Sequence, residues 1–312
     1  MTGGDCVYIT KRTPLSDTLI YYEQPGCKEM VHLKTRSVFY QPEDLKICEQ
    51  VFSLPYGKRD TAKSLNDLLI QVGKYFIGAP YVADTLDREG EEALVVNLRQ
   101  FDCFTFLENV IVLARLIEIG KTGFNNYKKQ LKIIRYRKGR LKGYASRLHY
   151  FSDWLYDNEQ KGLMKDITGM IGGKQYTKEI RFMTQHPENY PPLKDKKLYN
   201  ELLVVEKRIS GKTGHVVSKA EFIMAEPKIE NGNVIGIATD IEGLDVTHVG
   251  FAVWIGNHVY LLHASQEEKK VVVSKRMLGE YLDGNESISG VIIAKVRSIP
   301  ETSGENSYLN NC

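Results

Sequence analysis

Cysteine is scarce in this chain of 312 residues, and the few cysteines follow no pairing pattern. They number five, an odd count, and contain no CxxC pair, which excludes a disulfide scaffold and a zinc ribbon. An oxidising compartment would allow Cys6 and Cys27 to pair, but nothing in the sequence requires it. Cys48 lies on an amphipathic helical pattern and is most simply a core residue. Cys103 is the cysteine whose surroundings need a chemical explanation.

Long hydrophobic runs and a large excess of charge of one sign are also absent. No apolar stretch reaches the length of a membrane-spanning helix, and the N-terminus lacks the hydrophobic region of a signal peptide. We therefore expect no membrane span, in a protein that is either cytoplasmic or a mature form whose leader has been removed. With 42 basic and 39 acidic residues, the net charge of +3 gives no support for nucleic-acid binding, although it would tolerate an anionic polymer.

The distribution of apolar residues predicts an α+β fold. Helical spacing dominates before residue 120, and four strand-like runs after residue 233 predict an antiparallel meander. The region between them has the character of a long irregular insertion with one helix. We predict an N-terminal extension at 1–45, a main catalytic domain at 46–300 whose insertion at 120–230 shapes the substrate site, and a tail at 301–312.

The stretch "RQFDCFTFLENVIVLARL" at 99–116 places Cys103 in the first turn of a helix with an apolar face. Unpaired backbone N–H groups and the helix dipole at such a position favour a thiolate over a thiol. The same N–H groups can receive an oxyanion. The alternative is a small buried hydrophobe, which is what most lone cysteines are. The position in the first turn favours a nucleophile without deciding the question.

A cysteine nucleophile needs an imidazole that takes up and returns its proton, and a partner that orients this imidazole. Among seven histidines, His248 begins an alternating strand and His263 ends the next one. A hairpin that turns at Gly256 and Asn257 would bring them to the same end of adjacent strands. A metal site would need a third ligand, and no HExxH spacing is present. A cysteine followed about 145 residues later by a histidine is instead the order of papain-like enzymes.

Four segments resemble the NlpC-type cysteine peptidases of peptidoglycan metabolism. They are "GAPY" at 78–81, "FDCFTF" at 101–106, "THVGFAV" at 247–253 and "LLHAS" at 261–265. Phe104 and Thr105 stand where this family usually has Ser-Gly. That departure, the segment "GYASRLHYFSDWL" and the length of the chain make it similar to one branch, the bacterial N-acetylmuramoyl-L-alanine amidase-like proteins. This resemblance begins near residue 60 and ends near residue 298.

The resemblance implies a papain-like α+β fold, with the nucleophile helix packed on a C-terminal antiparallel sheet, and a site without metal or organic cofactor. It makes Cys103 the nucleophile, His248 the general base and then acid, and His263 the residue that orients His248. Tyr81 would line the site near Cys103. Asp102 would shape the substrate side, or it would act only as a helix N-terminal charge worth ~0.3–1 kcal/mol.

The segment "SRLHYFSDWL" at 146–155 combines a cation, an imidazole and aromatic rings. Such groups can hold a carboxylate and stack on a sugar, so we expect Arg147, His149 and Tyr150 to contact substrate. The alternative is that the aromatic side chains belong to the core.

The branch implies a cysteine amidohydrolase that cleaves the amide between N-acetylmuramic acid and L-alanine in peptidoglycan fragments, anhydro-muropeptides in particular. Two alternatives stay open, an endopeptidase that cuts between γ-D-glutamate and the diamino acid, and a non-catalytic muropeptide-binding module. The implied partners are muropeptides, without nucleic acid or an obligate protein partner. The substrate suggests the periplasm or cell envelope for a mature form, and the cytoplasm applies if the chain is native as given.

Overall fold

The computed structural model describes residues 11–13, 16–20, 38–55, 64–88 and 90–298. Within these residues the α-helices are α1 (Pro42–Ser53), α2 (Leu65–Tyr75), α3 (Cys103–Glu118), α4 (Phe124–Arg135), α5 (Phe151–Gln160), α6 (Phe182–Gln185), α7 (Lys196–Ser210), α8 (Phe222–Ala225) and α9 (Leu278–Asp283). The helix predicted around Cys48 is confirmed as α1, and α2 agrees with the helical spacing predicted before residue 120.

The strands of the same residues form one large sheet and two small ones. They are β1 (Lys11–Thr13), β2 (Ser16–Ile20), β3 (Val38–Phe39), β4 (Leu94–Val95), β5 (Met164–Asp166), β6 (Lys174–Tyr176), β7 (Gly214–Ser218), β8 (Val234–Thr239), β9 (Val246–Ile255), β10 (His258–Ser265), β11 (Lys270–Val273) and β12 (Ile288–Val296). The large sheet has the spatial order β11, β10, β9, β8, β12, β7, β6, with β5 also paired to β12. All strand pairs of the large sheet are antiparallel. Of the two small sheets, β1–β2 is antiparallel and β3–β4 is parallel.

The predicted meander is confirmed, because β8, β9, β10 and β11 lie side by side in chain order. The turn between β9 and β10 falls at Gly256 and Asn257, and Ile255 pairs with His258 across it. Gly256 has a φ of +60°, in the left-handed region that glycine enters without a steric cost. Helices at the N-terminal side and an antiparallel sheet at the C-terminal side confirm the α+β expectation.

The hairpin register decides which side chains meet at its open end. Phe251 pairs with Leu262, so the position opposite His263 is Gly250. His248 lies two positions from Gly250 along β9, on the same face of the sheet. Diagonal neighbours of this kind lie within reach of large side chains. The hydrogen-bond register of β9 and β10 therefore brings the two histidines together, as predicted.

The region 120–230 differs from the expected irregular insertion. Its predicted helix is present as α7, but β5, β6 and β7 also lie in this region and extend the large sheet. Val217 of β7, for example, pairs with Val291 of β12. These strands have three to five residues and distant partners, so local periodicity does not reveal them.

Helix α3 is held between α2 and the sheet. Phe106 packs edge-to-face on Phe251 of β9, with ring centroids 6.0 Å apart. A Cβ at Gly73 of α2 would lie 2.7 Å from Cδ2 of Leu262 in β10, so glycine allows α2 to approach the sheet closely. This packing fixes the first turn of α3, and with it Cys103, beside β9.

Several expectations fall outside the described residues. The possible pairing of Cys6 and Cys27 is among them. The boundaries proposed at 45 and 300 stay predictions. None of the helices in the described part of the chain is long and apolar enough to cross a membrane.

Candidate active site

Cys103 is the first residue of α3, and Asp102 caps the helix. Oδ1 of Asp102 accepts hydrogen bonds from the backbone N–H of Thr105 at 2.7 Å and from its hydroxyl at 2.9 Å. The Asp102 N–H in turn donates to the Thr105 hydroxyl at 3.0 Å. This reciprocal capping box is worth about 1 kcal/mol. Thr105, one of the two departures from the family pattern, therefore fixes the first turn of the helix that begins at Cys103.

The thiol of Cys103 is half-buried and lies against β9, where the backbone N–H of Val249 donates a hydrogen bond to its sulfur. Burial raises the pKa of the Cys103 thiol to about 12, the negative charge of Asp102 adds to this, and the backbone N–H groups of Val249, Cys103 and Phe104 oppose it. The expectation that the helix N-terminus favours a thiolate is therefore outweighed by burial. The resting group is a thiol that needs a base.

His248 and His263 supply two imidazoles at this position. Nε2 of His248 lies 2.5 Å from Nδ1 of His263, with the rings nearly perpendicular at 88°. Burial lowers the pKa of His248 to about 3, and the neighbouring His263 contributes to the shift. Burial likewise lowers the pKa of His263 to about 4, against the charge of Glu268, which raises it. Both imidazoles are therefore neutral near pH 7.

Each neutral imidazole carries a single N–H. The contact between the two rings is therefore one hydrogen bond, in which one ring donates and the other accepts. In one of the two possible tautomers, Nε2 of His248 carries this N–H and donates it to Nδ1 of His263. This tautomer leaves Nδ1 of His248 as an unprotonated acceptor. It also leaves the N–H of His263 on Nε2. The arrangement gives a base at Nδ1 of His248 and a neighbour that holds its ring in one orientation.

Tyr81 lies on a segment that joins α3 to the sheet. Its backbone N–H donates to the carbonyl of Lys269 at 2.9 Å, and Tyr81 also forms a bridge with Phe101. Burial raises the pKa of Tyr81 to about 12, and the charge of a Cys103 thiolate raises it further. Tyr81 is thus beside Cys103, where the resemblance expected it.

Tyr281 of α9 is a neighbour that the sequence reasoning missed. Its ring centroid lies 6.3 Å from that of His263. Its pKa is raised first by burial and next by the charge of Cys103. The segment around it, "RMLGEYL", indicates only a short helix, and no motif marks the tyrosine. Only the return of α9 to β10 shows that it belongs here.

An open cleft of about 870 Å³ runs from the two histidines along the β10–β11 hairpin. The residues that line it are Thr247, His248, His263, Ser265–Lys270, Val272–Arg276, Tyr281 and Asn285. Within the described ranges, no three His, Cys, Asp or Glu side chains converge as metal ligands would. The cleft presents two imidazoles and the Tyr281 ring, and the Cys103 thiol lies next to it, against Val249 of β9.

The segment that was expected to contact substrate has a different environment. Helix α5 starts only at Phe151, so Arg147 and His149 lie in the preceding turn. Nη2 of Arg147 lies 2.5 Å from Oδ1 of Asp87 and its Nε 3.4 Å from Oε1 of Glu92. A second cavity, of about 660 Å³, borders this arginine. The guanidinium is therefore engaged by carboxylates of the chain itself.

His149 and Tyr150 are also engaged internally. Nε2 of His149 lies 2.9 Å from the carbonyl of Tyr144, and burial together with the charge of Arg147 lowers the pKa of His149 to about 3. Tyr150 is 2% exposed, and its hydroxyl donates to Glu206 at 2.7 Å. Their role toward substrate stays a prediction, whereas their contacts are those of a packed interior.

Known proteins were compared with the chain by sequence and by structure. The model of the AmiA-like family, described as N-acetylmuramoyl-L-alanine amidase-like, matches residues 71–290. The chain belongs to this family. No curated protein matches it.

Crystal structures of related proteins share the fold of this amidase-like chain. An N-acetylmuramoyl-L-alanine amidase from Bacteroides uniformis is 32% identical with a TM-score of 0.70, over 75% of this chain and 99% of that one. A Bacteroides fragilis protein described provisionally as a xylanase is 34% identical with a TM-score of 0.69, over 72% and 100% of the two chains. A Legionella pneumophila protein at 23% identity and a TM-score of 0.60, over 81% and 94%, shows the fold alone. The mixed architecture of helices and antiparallel sheet is thus that of amidase-like proteins.

Proposed function

We propose that this amidase-like protein is a cysteine-dependent N-acetylmuramoyl-L-alanine amidase with a papain-like, NlpC-type fold. It cleaves the amide between the lactyl group of N-acetylmuramic acid and L-alanine in peptidoglycan fragments, with anhydro-muropeptides as preferred substrates. The observation that carries the proposal is the position of Cys103, at the start of α3 and against the backbone of Val249. Val249 follows His248, which bonds to His263 at the edge of an open cleft.

The first half of the reaction transfers the muramoyl group to sulfur. Nδ1 of His248 takes the proton of the Cys103 thiol as the sulfur attacks the lactyl carbonyl. Backbone N–H groups of the first turn of α3 hold the oxyanion of the tetrahedral intermediate. When the C–N bond breaks, His248 returns the proton to the departing amine of L-alanine. A thioester and a free stem peptide result.

The second half releases the sugar acid. Water attacks the thioester, His248 accepts one of its protons, and the C–S bond breaks. The muramic acid carboxylate leaves and the Cys103 thiol is restored. His263 keeps the His248 ring in place during both halves through its 2.5 Å contact. No step uses a metal or an organic cofactor.

The chemistry of the cleft favours acyl transfer over glycoside cleavage. Glycosidases use a pair of carboxylic acids that flank the scissile bond. The groups that meet beside α3 are a thiol and two imidazoles. This argues for the activity in the name of the Bacteroides uniformis neighbour. A muropeptide substrate fits a site in the periplasm or cell envelope, which we propose as the location.

A defined anhydro-disaccharide-tetrapeptide tests the proposal, with mass spectrometry of the products. We expect separated anhydro-disaccharide and tetrapeptide, and retained activity in the presence of EDTA. Cleavage within the peptide would assign the endopeptidase activity instead, and loss of activity with EDTA would assign a metal amidase. Absence of any product would leave a binding module.

A further inference from the structure

The wall of the active-site cleft formed by the β10–β11 hairpin and the residues after it carries unequal charge. Its charged residues are Lys269, Lys270, Lys275 and Arg276, against Glu267 and Glu268. Nζ of Lys275 lies 2.6 Å from Oε1 of Glu268, so these two charges compensate each other. A surplus of positive charge therefore faces the cleft, next to the predicted catalytic histidines.

Arg276 is the cation of this wall with the most defined surroundings. Its Cζ lies 5.8 Å from the ring centroid of Tyr281, in a cation–π arrangement. Arg276 is exposed, and among the described residues it has no carboxylate within ion-pair distance. A guanidinium that the described residues leave unpaired is ready to accept a carboxylate from a ligand.

Two features hold this guanidinium in place. The Ser274 hydroxyl donates to the carbonyl of Arg276 at 2.8 Å and accepts from the N–H of Leu261 in β10 at 3.0 Å, which ties the backbone to the sheet. At the end of α9, a Cβ on Gly284 would lie 2.5 Å from Nη1 of Arg276. Glycine thus leaves the space that the guanidinium occupies.

The guanidinium is within reach of a substrate bound at Cys103. The Tyr281 ring neighbours both sides of the cleft, with its centroid 6.3 Å from that of His263 and 5.8 Å from Cζ of Arg276. These contacts place Cζ of Arg276 at most about 12 Å from the centre of the His263 ring. Two extended residues span ~7 Å, and the carboxylate with its ion-pair contact covers the rest. In a muropeptide, the first free carboxylate beyond the scissile amide belongs to the second stem residue, D-glutamate, whose γ-carboxyl continues the chain.

We propose that Arg276, supported by Tyr281 and Gly284, binds the free α-carboxylate of the D-glutamate in the stem peptide and selects acidic over amidated stems. The sugar is uncharged and cannot supply this contact. The inference rests on the proposed function, since it takes the stem as the group that leaves from Cys103. It adds a specificity determinant that lies outside the four motifs.

Two tripeptide substrates that differ in one group test the inference. They are N-acetylmuramoyl-L-alanyl-γ-D-glutamyl-L-lysine and the same compound with the α-carboxylate converted to a carboxamide. We expect the wild-type protein to favour the acid over the amide by about tenfold or more in kcat/KM, since hydrogen bonds to charged groups are the strong ones. In Arg276→Gln the ratio should fall to about one, through KM and not through kcat.

Two further variants show whether the preference depends on the Arg276 guanidinium itself or only on the positive charge of the cleft wall. Lys275→Gln removes one positive charge from the same wall, and the acid-to-amide ratio should stay at the wild-type value. Gly284→Ala has an ordinary helical backbone at φ −72° and displaces the guanidinium without removing it, so the ratio should fall to an intermediate value. A wild-type protein without preference, or an Arg276→Gln protein that keeps it, would overturn the inference.

Binding to an inactive variant keeps the two proposals distinguishable. In Cys103→Ala, calorimetry with the peptide L-alanyl-γ-D-glutamyl-L-lysine and its α-amide measures recognition without turnover. Preference for the acid that disappears in Cys103→Ala/Arg276→Gln supports the carboxylate contact even if the amidase activity is absent. Turnover without any such preference supports the amidase and contradicts the role of Arg276.

Discussion

Two clefts of this protein each contain an arginine packed on a tyrosine ring, and they differ in what the arginine is left to do. Cζ of Arg147 lies 4.8 Å from the Tyr144 ring, and Cζ of Arg276 lies 5.8 Å from the Tyr281 ring. Arg147 is 6% exposed and faces Asp87 and Glu92. Arg276 is exposed beside the predicted catalytic histidines.

The difference shows that residue type alone does not identify a ligand-binding arginine. Arg147 stands in a sequence rich in aromatic residues and was expected to hold a substrate carboxylate, yet carboxylates of the chain occupy it. Arg276 stands in an inconspicuous segment and keeps its hydrogen-bonding capacity. The pairing of the charge makes the distinction, because Nε of Arg147 is itself buried without a hydrogen-bond partner. An unpaired charge beside reactive groups marks a functional cleft, whereas an ion-paired charge belongs to the interior.

The largest expected effect separates the clefts by activity. Cys103→Ala removes the proposed nucleophile, so turnover of the anhydro-disaccharide-tetrapeptide should fall by at least ~10³-fold. The thermal midpoint should change little, because the side chain lost is small. Product release measured by mass spectrometry and a thermal scan check both statements. Wild-type turnover in this variant would remove Cys103 from the mechanism.

The next effect separates them by stability. Arg147→Met leaves the carboxylate of Glu92, whose side chain is 7% exposed, without its cation, and breaking a buried ion pair costs about 3 kcal/mol or more. The matched variant Arg276→Met should stay within about 0.5 kcal/mol of wild type, as exposed substitutions do. Urea unfolding of both proteins gives the comparison. Equal losses of unfolding free energy would show that both arginines are structural.

A third test uses pH. An unfolded histidine titrates near 6.5, whereas His149 and His248 titrate near 3 in the folded protein. Between these values the unfolded chain binds protons that the folded protein does not. Stability is therefore fully present above about pH 6.5 and decreases as the pH falls towards 3.

The two histidines should differ in what else they affect. His149→Gln should flatten the loss of unfolding free energy between pH 6.5 and 4 while turnover stays within a few-fold of wild type. His248→Gln should flatten the same profile and also abolish turnover. Denaturation at several pH values and a single-substrate assay are sufficient. Equal loss of turnover in both variants would show that His149 acts on the substrate, which is the contact expected from the sequence.

The smallest effect concerns the capping box at the start of α3, the helix that begins at Cys103. Thr105→Val removes the hydroxyl that bonds to Asp102 on both sides of the capping box, at a cost of about 1 kcal/mol in unfolding free energy. Turnover should fall less than in Cys103→Ala, since the thiol remains. Thr105→Ser keeps the hydroxyl and serves as the control. A Thr105→Val protein as stable as wild type would show that the capping box does not stabilise the first turn of α3.

Much of the site could be predicted because its signals are local. The hairpin residues Gly256 and Asn257 fix the register that brings His248 and His263 together, and the apolar face after Cys103 predicts α3. The three short strands in 120–230 could not be predicted, because their hydrogen-bond partners are distant. Tyr281 and Arg276 could not be predicted either, because only the packing of α9 against β10 brings them to the cleft.

By itself, the sequence determined the order of the elements and the turn between β9 and β10. It also indicated the cysteine and the two histidines at the open end of that hairpin, since all of these follow from short-range periodicity and motif spacing. The tertiary structure alone decided the ionisation and the availability of the groups. Burial, which depends on residues far apart in the chain, keeps Cys103 a thiol and both imidazoles neutral. The fold also places carboxylates beside Arg147, whereas no described carboxylate pairs with Arg276, because a charged side chain is paired only by what folds against it.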